Sequence, residues 1–401
     1  MLFEDLSDDQ LDQFDSYDHH EVVRKVMLGV GSHALTAFIA VHNTHLGPAL
    51  GGLRMRPYAS EADALNDVLR LSRGMTYKNA MAGLPLGGGK AVIIGNPFTQ
   101  KNPAIMEDMG RAVEMLDGRY VTAEDSGTGE SDMVAIARHT EHVTGLPPEP
   151  FEDSQYGELG GNPSPVTALG CYHGIRAAAK HVYGDDNLAG RTVAVQGLGA
   201  VGLALCELLH QDGVKLIATD VNEKALEIAR ADIPALQLIA PEDIFGVTCD
   251  ILAPCAMGGV LDDRTIPQIK AKIVAGAANN QLLAPYHDQQ LASRGIAYVP
   301  DYVINAGGVI CVGYEYFRKS GYNPLDFTFS REAMLGHVGR IGKTVADILA
   351  YSAANKVNPG EAADKIAEGR FLGGDALPEG DEINPAGDAS FGASGGRTLV
   401  Q

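Results

Sequence analysis

The first third of the chain alternates amphipathic segments with short apolar runs. The segment 60–73 is predicted to be an amphipathic helix, because its apolar residues recur at a helical period. A loop rich in Gly and Lys is expected to follow it. The runs AVIIG (91–95) and RYVTAED (119–125) are predicted to be strands, each followed by a polar or glycine-bearing connection.

The second half has a regular alternation of strand and helix patterns. After a predicted helix at 166–180, strands at 191–197 and 214–220 flank a helix at 200–212, which predicts a βαβ unit with parallel strands. Further strands are predicted at 250–254, 272–279 and 296–303. About six such strands predict a doubly wound sheet. Pro, Gly and acidic residues concentrate at 144–165, where we expect the chain to cross between domains.

The C-terminal part combines one long helical pattern with a polar tail. A helix is predicted from about 330 to 355, with apolar residues on one face. We expect this helical region, to about residue 368, to pack back on the first domain. Residues 369–401 are rich in Gly, Asp, Ala and Pro, so they are expected to be disordered.

Composition and charge exclude several function classes. The 401 residues are 45% hydrophobic, which is enough for two domains with buried cores. The net charge of −20 would repel nucleic acid and anionic membranes, so neither is expected as a partner. The acidic N-terminus has no signal pattern, and a cytoplasmic location is expected. The five cysteines show no paired C-x-x-C spacing; they are expected to be buried apolar side chains, and no metal site is predicted.

The sequence VAVQGLGAVG carries a candidate dinucleotide site. Gly197, Gly199 and Gly202 form a G-x-G-x-x-G between a predicted strand and a predicted helix. This context favours a pyrophosphate bound at the helix N-terminus. Asp220 ends the next strand, where a carboxylate accepts ribose hydroxyl protons and repels a 2′-phosphate, so NAD is expected rather than NADP. A purely structural glycine turn with a solvated Asp220 is the alternative.

Two lysines and one aspartate are candidates for chemistry. Lys78 and Lys90 are expected beside loops of small residues around Gly87–Gly89, where crowding and partial burial lower the proton affinity of an ammonium group. One lysine could then transfer protons while the other remains a fixed cation. Asp125 ends a predicted strand before turn residues. Taken alone, the lysines could equally be solvated charges and Asp125 a turn former or helix cap.

These three segments, with five others, resemble the leucine, phenylalanine and valine dehydrogenases, the branch of the glutamate dehydrogenase superfamily that acts on monocarboxylic amino acids. The leucine enzymes resemble the chain most. The resemblance covers roughly 35–355. It is carried by LGPALGGLRM (46–55), GMTYKNAMAGLPLGGGKAVIIGNP (74–97), TAEDSGT (122–128), NPSPVTALG (162–170), VAVQGLGAVG (193–202), APCAMGG (253–259), GAANNQL (276–282) and PDYVINAGGVI (300–310).

The resemblance implies a fold and an activity. The fold would be an N-terminal α/β substrate domain (1–145) and a Rossmann NAD domain (146–329), with the active site in the cleft between them. The reaction would be the reversible, NAD-dependent oxidative deamination of leucine, valine or isoleucine to a 2-oxo acid, ammonia and NADH. A homo-oligomer is also implied.

The same resemblance implies roles for individual residues. Lys78 would hold the substrate carboxylate, Lys90 would be the general acid/base, and Asp125 would handle protons on the amine and imine. The expected substrate contacts also include Leu50, Gly51, Gly52, Ala123, Asn280, Val309 and Val312. The expected cofactor contacts are Thr167, Gly197, Gly199, Ala200, Val201, Gly202, Asp220, Asn222, Ala256 and Asn279.

The apolar members of this set predict the side-chain preference. The glutamate enzymes have a lysine at the position of Leu50, so a buried substrate acid would lack a partner here. Leu50, Ala123, Val309 and Val312 match the leucine-type set and define an aliphatic pocket, although without the resemblance they would be interpreted as ordinary core. Phenylalanine dehydrogenase, or a non-catalytic cofactor-binding relative, remains the alternative.

Two departures from the family pattern are visible. Asn162 stands where an aspartate is expected, and the segment GYEYFRKSGYN after Val312 is longer than its counterpart. A 2-hydroxy-acid oxidoreductase is disfavoured, because its His/Arg constellation is not apparent.

Overall fold

Two six-stranded sheets organise the chain in a computed structural model that describes residues 2–31, 34–147 and 162–373. The first sheet has the order β1-β2-β3-β5-β4-β6. Its strands and helices are β1 (Leu2–Asp5), α1 (Asp8–Leu11), β2 (Val22–Leu28), β3 (Leu35–Asn43), β4 (Ala49–Arg56), α2 (Glu61–Met81), β5 (Gly87–Ile94), α3 (Pro103–Glu114), β6 (Tyr120–Glu124) and α4 (Glu130–Ile136).

The second sheet is parallel throughout, in the order β12-β11-β10-β7-β8-β9. Its elements are α5 (Ser164–Tyr183), β7 (Thr192–Gln196), α6 (Ala200–Gln211), β8 (Lys215–Thr219), α7 (Glu223–Asp232), β9 (Gln237–Leu238), β10 (Ile251–Pro254), β11 (Ile273–Val274), α8 (Tyr286–Ser293), β12 (Ala297–Tyr298) and α9 (Asp301–Ile304). The chain then continues through α10 (Gly307–Ser320), α11 (Arg331–Asn355) and α12 (Pro359–Phe371). The predicted α/β fold with a doubly wound parallel sheet is confirmed.

The first sheet is mixed, which the sequence did not predict. β1, β2 and β3 pair antiparallel, β3 pairs antiparallel with β5, and only β4, β5 and β6 are parallel. Strand β3 was missed because it is a nearly continuous apolar run, in which the period of two is weak. Strand β2 has Arg24 and Lys25 at its centre and β4 contains two glycines, so neither shows a regular alternation.

The expected loop around the two lysines was wrong. Helix α2 continues to Met81, so Lys78 lies in its last turn, and Lys90 lies within β5. Gly87, Gly88 and Gly89 are strand residues too. A Cβ atom at Gly89 would lie 2.6 Å from the Tyr120 ring, and one at Gly88 would collide with Thr76. Glycine is therefore required here for close packing of the strand rather than for a loop.

The C-terminal region is two helices rather than one. Lys356 adopts a left-handed φ of 56° at the end of α11, and Pro359 begins α12. Helix α12 lies against α2: Arg370 donates to the carbonyl of Ala80 at 2.8 Å, and Tyr77 donates to Glu368 at 2.8 Å. The predicted disordered tail begins too early, since α12 reaches Phe371; residues 374–401 lie outside the described residues.

The segment that connects the two sheets is held in place at its N-terminal end. Of the predicted crossing segment 144–165, residues 148–161 lie outside the described residues. Before them, Thr144 donates to the carbonyl of Val312 at 3.0 Å. The buried Glu315 accepts the backbone N–H groups of Gly145 and Leu146 at 3.1 Å. These contacts hold the end of the first domain against α10.

One hydrophobic core joins both parts of the chain. It includes Leu50 and Tyr77 from the first domain together with Val309 and Val338 from α10 and α11. Cys171, Cys206 and Cys311 are buried, and none of the five cysteines forms a disulfide. Within the described part of the chain, no helix is both long and apolar enough to cross a membrane.

Candidate active site

A cleft of about 1030 Å³ lies between the parallel strands of the first sheet and a second wall formed by the loop after β11, α9 and α10. The sequence-predicted substrate and catalytic residues meet there. Those that line the cleft are Leu50, Gly51, Gly52, Lys78, Lys90, Ala123, Asp125, Asn279, Asn280, Val309 and Val312. They come from β4, α2, β5, β6, α10 and the loop after β11, so only the tertiary fold brings them together.

Lys90 and Asp125 form a close ion pair at the centre of the cleft. Lys90 Nζ lies 2.6 Å from Asp125 Oδ2, and the lysine is only 6% exposed. Lys90 is placed by β5, and Asp125 directly follows β6, with β4 lying between these two strands. Gly52 makes room for the pair, because a Cβ atom there would lie 2.8 Å from the Asp125 Cβ and 3.3 Å from Lys90 Nζ.

The surroundings lower the pKa values of all three predicted charged groups. Burial lowers the pKa of Lys90, although the Asp125 carboxylate opposes this. Burial lowers the pKa of Lys78 to about 8, with Asp301 and Asp125 opposing it and Lys90 contributing to it. Burial alone would raise the pKa of Asp125, but Lys90 and Arg54 bring it well below its ordinary value. Burial is thus the main cause for the lysines, and their mutual repulsion is secondary.

Lys78 faces the second domain across the cleft. Its Nζ donates to Asn279 Oδ1 at 3.3 Å, and Asn305 donates to the same oxygen at 2.7 Å. Asn280 has a left-handed φ of 52°, and the N–H of Gln281 donates to Asp301 at 2.7 Å. Asp301 therefore fixes the loop that presents both asparagines to the substrate side.

Small and apolar residues close the remaining walls. Gly51 has no space for a side chain, since a Cβ atom would collide with the Gly89 carbonyl. Leu50, Ala123 and Val309 are 1%, 7% and 8% exposed, and Val312 is partly buried. Because these four side chains are apolar, this end of the cleft suits an uncharged hydrocarbon group.

The G-x-G-x-x-G segment forms a cradle at the carboxyl end of β7. Gly197 has a φ of 99°, and a Cβ atom there would lie 2.7 Å from that of Ala256. A Cβ atom at Gly202 would collide with the Gly197 carbonyl, whereas the space above Gly199 is open. The first amides of α6, at Ala200, Val201 and Gly202, have no partner within the helix. This open, amide-lined cradle fits a dinucleotide pyrophosphate.

Asp220 lies beside the cradle, after β8. Its two carboxylate oxygens accept the N–H groups of Leu198 at 2.6 Å and Asn222 at 2.7 Å. These bonds fix the carboxylate, and each oxygen keeps a lone pair for a ribose hydroxyl. Asn222 caps α7, its Oδ1 accepting the N–H of Lys224 at 3.1 Å.

Two other residues singled out in the sequence have local structural contacts. Thr167 lies in the first turn of α5, where its hydroxyl donates to the Pro163 carbonyl at 3.0 Å, next to Gly308 at the cleft wall. Asn162 accepts the N–H of Ser164 at 3.0 Å and so supports the start of α5. This contact does not require the aspartate expected from the family pattern.

The charged residues missed from the sequence include Arg54, Arg70 and Asp301, which line the cleft, and Asp67, which lies behind Arg54 and Arg70. Arg54 Nε donates to Asp125 Oδ2 at 3.1 Å, and Asp67 accepts from Arg54 and Arg70. One signal was available for Arg54. Side chains two apart on a strand share a face, so Arg54 lies on the same side of β4 as Gly52 and Leu50.

The cleft and the cradle together define a class of enzyme. A dinucleotide held beside a buried lysine–carboxylate pair suits a dehydrogenase, because hydride transfer needs a bound nicotinamide and groups that move protons in a site shielded from water. Among residues 2–31, 34–147 and 162–373, no group of three or more His, Cys, Asp or Glu side chains is arranged to hold a metal ion.

Comparison with known families names the class. Residues 20–142 match the Glu/Leu/Phe/Val dehydrogenase dimerisation domain, and residues 162–226 and 219–363 match the Glutamate/Leucine/Phenylalanine/Valine dehydrogenase family. The chain belongs to this family, so it is an amino-acid dehydrogenase. The family's enzymes use a nicotinamide dinucleotide.

Individual relatives agree with this assignment. The chain is 48% identical over 357 residues to leucine dehydrogenase of Geobacillus stearothermophilus, covering 89% of this chain and 92% of that one. It is 46% identical over 339 residues to valine dehydrogenase of Streptomyces virginiae, covering 84% of this chain and 90% of that one. The solved structure of L-tryptophan dehydrogenase from Nostoc punctiforme superposes with a TM-score of 0.73 at 40% identity, covering 88% of this chain and 96% of that one.

Proposed function

We propose that this chain oxidatively deaminates leucine, valine or isoleucine with NAD, giving the 2-oxo acid, ammonia and NADH. The observation that carries the proposal is the cleft itself, in which the Lys90–Asp125 pair faces Lys78 at one end and four apolar side chains at the other. The relatives named leucine and valine dehydrogenases support the same substrate class.

Lys78 and Asp125 have different roles because one is a cation and the other a carboxylate. Lys78 binds the substrate carboxylate as a cation. Asp125 remains a carboxylate at neutral pH, because Lys90 and Arg54 lower its pKa, and it accepts hydrogen bonds from the substrate amine. The α-hydrogen leaves as a hydride, which bound NAD accepts at its nicotinamide ring. Lys78 and Asp125 therefore hold the substituents of the α-carbon in one orientation for this transfer.

Lys90 acts on the water that completes the reaction. The lowered pKa of this buried lysine makes its neutral form accessible, so its Nζ takes a proton from water as the water oxygen adds to the imine carbon. Lys90 then gives its proton to the nitrogen of the carbinolamine and takes the hydroxyl proton as the C–N bond breaks, so that ammonia leaves and the carbonyl of the 2-oxo acid forms. Asn279 and Asn280 line the cleft on the side of the second domain, where the nicotinamide would meet the substrate.

A panel assay tests the proposal directly. NADH formation at 340 nm, measured with single L-amino acids, is expected to be fastest with the branched aliphatic ones and slow with glutamate and phenylalanine. Preference for phenylalanine would favour the alternative activity, and the L-tryptophan dehydrogenase structure supports keeping that alternative because that enzyme shares this fold. A chain that binds NADH but turns over no amino acid would be the non-catalytic alternative.

The cofactor preference is expected to depend on Asp220. Asp220→Ala removes a carboxylate that accepts ribose hydroxyls and repels a 2′-phosphate, so the ratio of kcat/KM for NAD over NADP is expected to fall about tenfold, the equivalent of roughly 1.4 kcal/mol. The measurement is initial rates with each cofactor at saturating leucine. Asp185→Ala is a matched control on the same domain, since Asp185 is an exposed carboxylate in the turn before Asn187. An unchanged ratio in Asp220→Ala would locate the discriminating group elsewhere, for instance at Asn222.

The charge of Lys78 is expected to make substrate binding depend on pH. Its pKa of about 8 means that Lys78 is a cation below pH 8 and becomes neutral as the pH rises. The inhibition constant of 4-methylpentanoate, a carboxylate without an amine, is therefore expected to increase by up to about tenfold per pH unit above pH 8 in the presence of NADH. In Lys78→Met the constant should be higher and nearly flat. A flat profile in the unmodified enzyme would show that Lys78 is not the carboxylate anchor.

Assembly and location are further parts of the proposal. The N-terminal family match is described as a dimerisation domain, which supports a homo-oligomer. Light scattering of the purified chain measures its size, and a monomer at assay concentration would contradict this. The cytoplasmic location stays a prediction.

A further inference from the structure

A continuous series of charged contacts leads away from the Lys90–Asp125 pair. Arg54 Nε donates to Asp125 Oδ2 at 3.1 Å, and Arg54 Nη1 donates to Asp67 Oδ2 at 3.1 Å. Asp67 Oδ1 accepts from Arg70 Nη2 at 2.8 Å, and Arg70 Nη1 donates to Asn280 Oδ1 at 3.2 Å. The series thus begins at the proposed acid/base lysine and ends on the other side of the cleft.

Asp67 is the central member of this series. Its side chain is only 13% exposed and accepts from three donors, with Tyr58 as the third at 2.8 Å. Burial alone would raise the pKa of Asp67, but the bonds from Tyr58 and Arg70 and the charge of Arg54 lower it, so Asp67 is a carboxylate at neutral pH. A buried carboxylate between two guanidinium groups fixes both in place.

Arg70 makes a contact between the two domains. It lies on α2, whereas Asn280 lies in the loop after β11 that Asp301 fixes through Gln281. Lys78 on the same face of α2, two turns further on, reaches Asn279 in the same loop. The contact of Arg70 with Asn280 therefore joins α2 to the loop after β11 across the cleft.

We propose that Asp67 is a positioning residue for the reaction: through Arg54 it holds Asp125 against Lys90, and through Arg70 it holds the contact across the cleft with Asn280. The inference rests on the proposed dehydrogenase activity and extends it to residues outside the expected site. The same carboxylate then links the geometry of proton transfer to the contact across the cleft.

The electrostatic effects of the two inner residues on Lys90 have opposite signs. The charged groups that face Lys90 are Asp125, Arg54, Asp67 and Lys78, and Asp301 faces Lys78 from the second domain. Burial lowers the pKa of Lys90; the Asp125 and Asp67 carboxylates raise it, and Arg54 lowers it further. Removing the charge of Asp67 should therefore lower this pKa, and removing that of Arg54 should raise it.

The experiment compares Asp67→Asn and Arg54→Gln by the pH dependence of kcat/KM for leucine. Asp67→Asn is expected to lower kcat about 10- to 100-fold, the range for small displacements of reacting groups, and to move the Lys90-dependent limb to lower pH. Arg54→Gln should move the same limb to higher pH. Because the ionisation of leucine is the same in every assay, a difference in the position of the limb between variants reflects a changed pKa of a group on the enzyme. General structural damage would not move the limb in opposite directions.

A third variant tests the cross-cleft part. Arg70→Gln is expected to raise the KM for leucine about two- to fivefold, as for a half-exposed charged contact, and to leave the Lys90-dependent limb in place. Asp63→Asn is the matched control for Asp67→Asn, because Asp63 is an exposed carboxylate one turn before Asp67 on α2, with Ser60 as its partner. It should resemble the unmodified enzyme in kcat, KM and pH profile.

The outcomes separate this inference from the proposed function. If the unmodified chain forms no NADH with any branched-chain amino acid, the proposed function fails. If it is active and the limbs of Asp67→Asn and Arg54→Gln shift in the same direction or not at all, the positioning role of Asp67 is wrong. If thermal unfolding shows that Asp67→Asn folds poorly, the test rests on Arg54→Gln. The proposal is then contradicted if the Lys90-dependent limb of Arg54→Gln stays in place or moves to lower pH.

Discussion

Replacing Lys90 with alanine is expected to lower kcat for leucine by at least about 10²-fold, the minimum typical of a general acid/base residue, while NADH binding stays nearly unchanged. Lys90 is the buried partner of Asp125, with the two atoms 2.6 Å apart, whereas the cradle at Gly197–Gly202 lies on the other domain. Without the amine, no group at that position takes the proton from the attacking water. The measurements are steady-state kcat and NADH fluorescence titration.

The matched control for this variant is Lys25→Ala. Lys25 also forms a lysine–carboxylate pair, with Glu61 at 2.6 Å, but it lies on β2, away from the cleft-lining residues. It should keep kcat within about twofold, since exposed ion pairs contribute only ~0–1 kcal/mol to stability. Retention of more than about a tenth of the activity by Lys90→Ala would remove Lys90 from the chemistry.

The sequence predicted the nucleotide-binding half more fully than the substrate-binding half. Strand β7, the glycine cradle and Asp220 follow one another within a single βαβ unit, so local patterns were sufficient. The substrate-binding sheet instead pairs β3 with β5 and β4 with β6, and such long-range pairing leaves no local signal.

The positions of the two lysines illustrate what local patterns miss. The glycines at 87–89 favour a loop by composition, but they lie in β5 because Asn43, Thr76 and Tyr120 occupy the space that side chains would need. Only the tertiary packing contains this information. The prediction that Lys78, Lys90 and Asp125 act together did not depend on the loop, because it was based on residue type. The fold brings all three into one cleft.

The charged residues around that centre were not predictable from spacing. Arg54, Asp67 and Asp301 lie on β4, α2 and α9, far apart in sequence, and an isolated charge in a sequence usually indicates a solvated surface. Their burial and mutual pairing appear only in the folded chain. Buried pairing beside the cleft therefore marks these charges, since paired buried carboxylates such as Glu315 also occur away from it.

Enlarging the apolar end of the cleft is expected to change the substrate preference. In the double variant Leu50→Ala with Ala123→Gly, leucine loses apolar contacts and leaves a void, which costs about 1–3 kcal/mol of transition-state binding. Phenylalanine gains the space that Leu50 now fills. The ratio of kcat/KM for phenylalanine over leucine should therefore rise by roughly 10–200-fold. Lys78, Lys90 and Asp125 are unchanged, so the reaction itself should persist.

Leu53→Ala is the matched control for this pocket. Leu53 is as deeply buried as Leu50 and lies on the same strand, but it faces the opposite side of the sheet, in the core formed with α3 and α4. It should lower the free energy of unfolding by about 2–5 kcal/mol, as expected for a buried Leu→Ala change, without altering the phenylalanine-to-leucine ratio. If the double variant also left that ratio unchanged, Leu50 and Ala123 would not contact the substrate side chain, and the aliphatic preference would have to arise from Val309 and Val312 on α10.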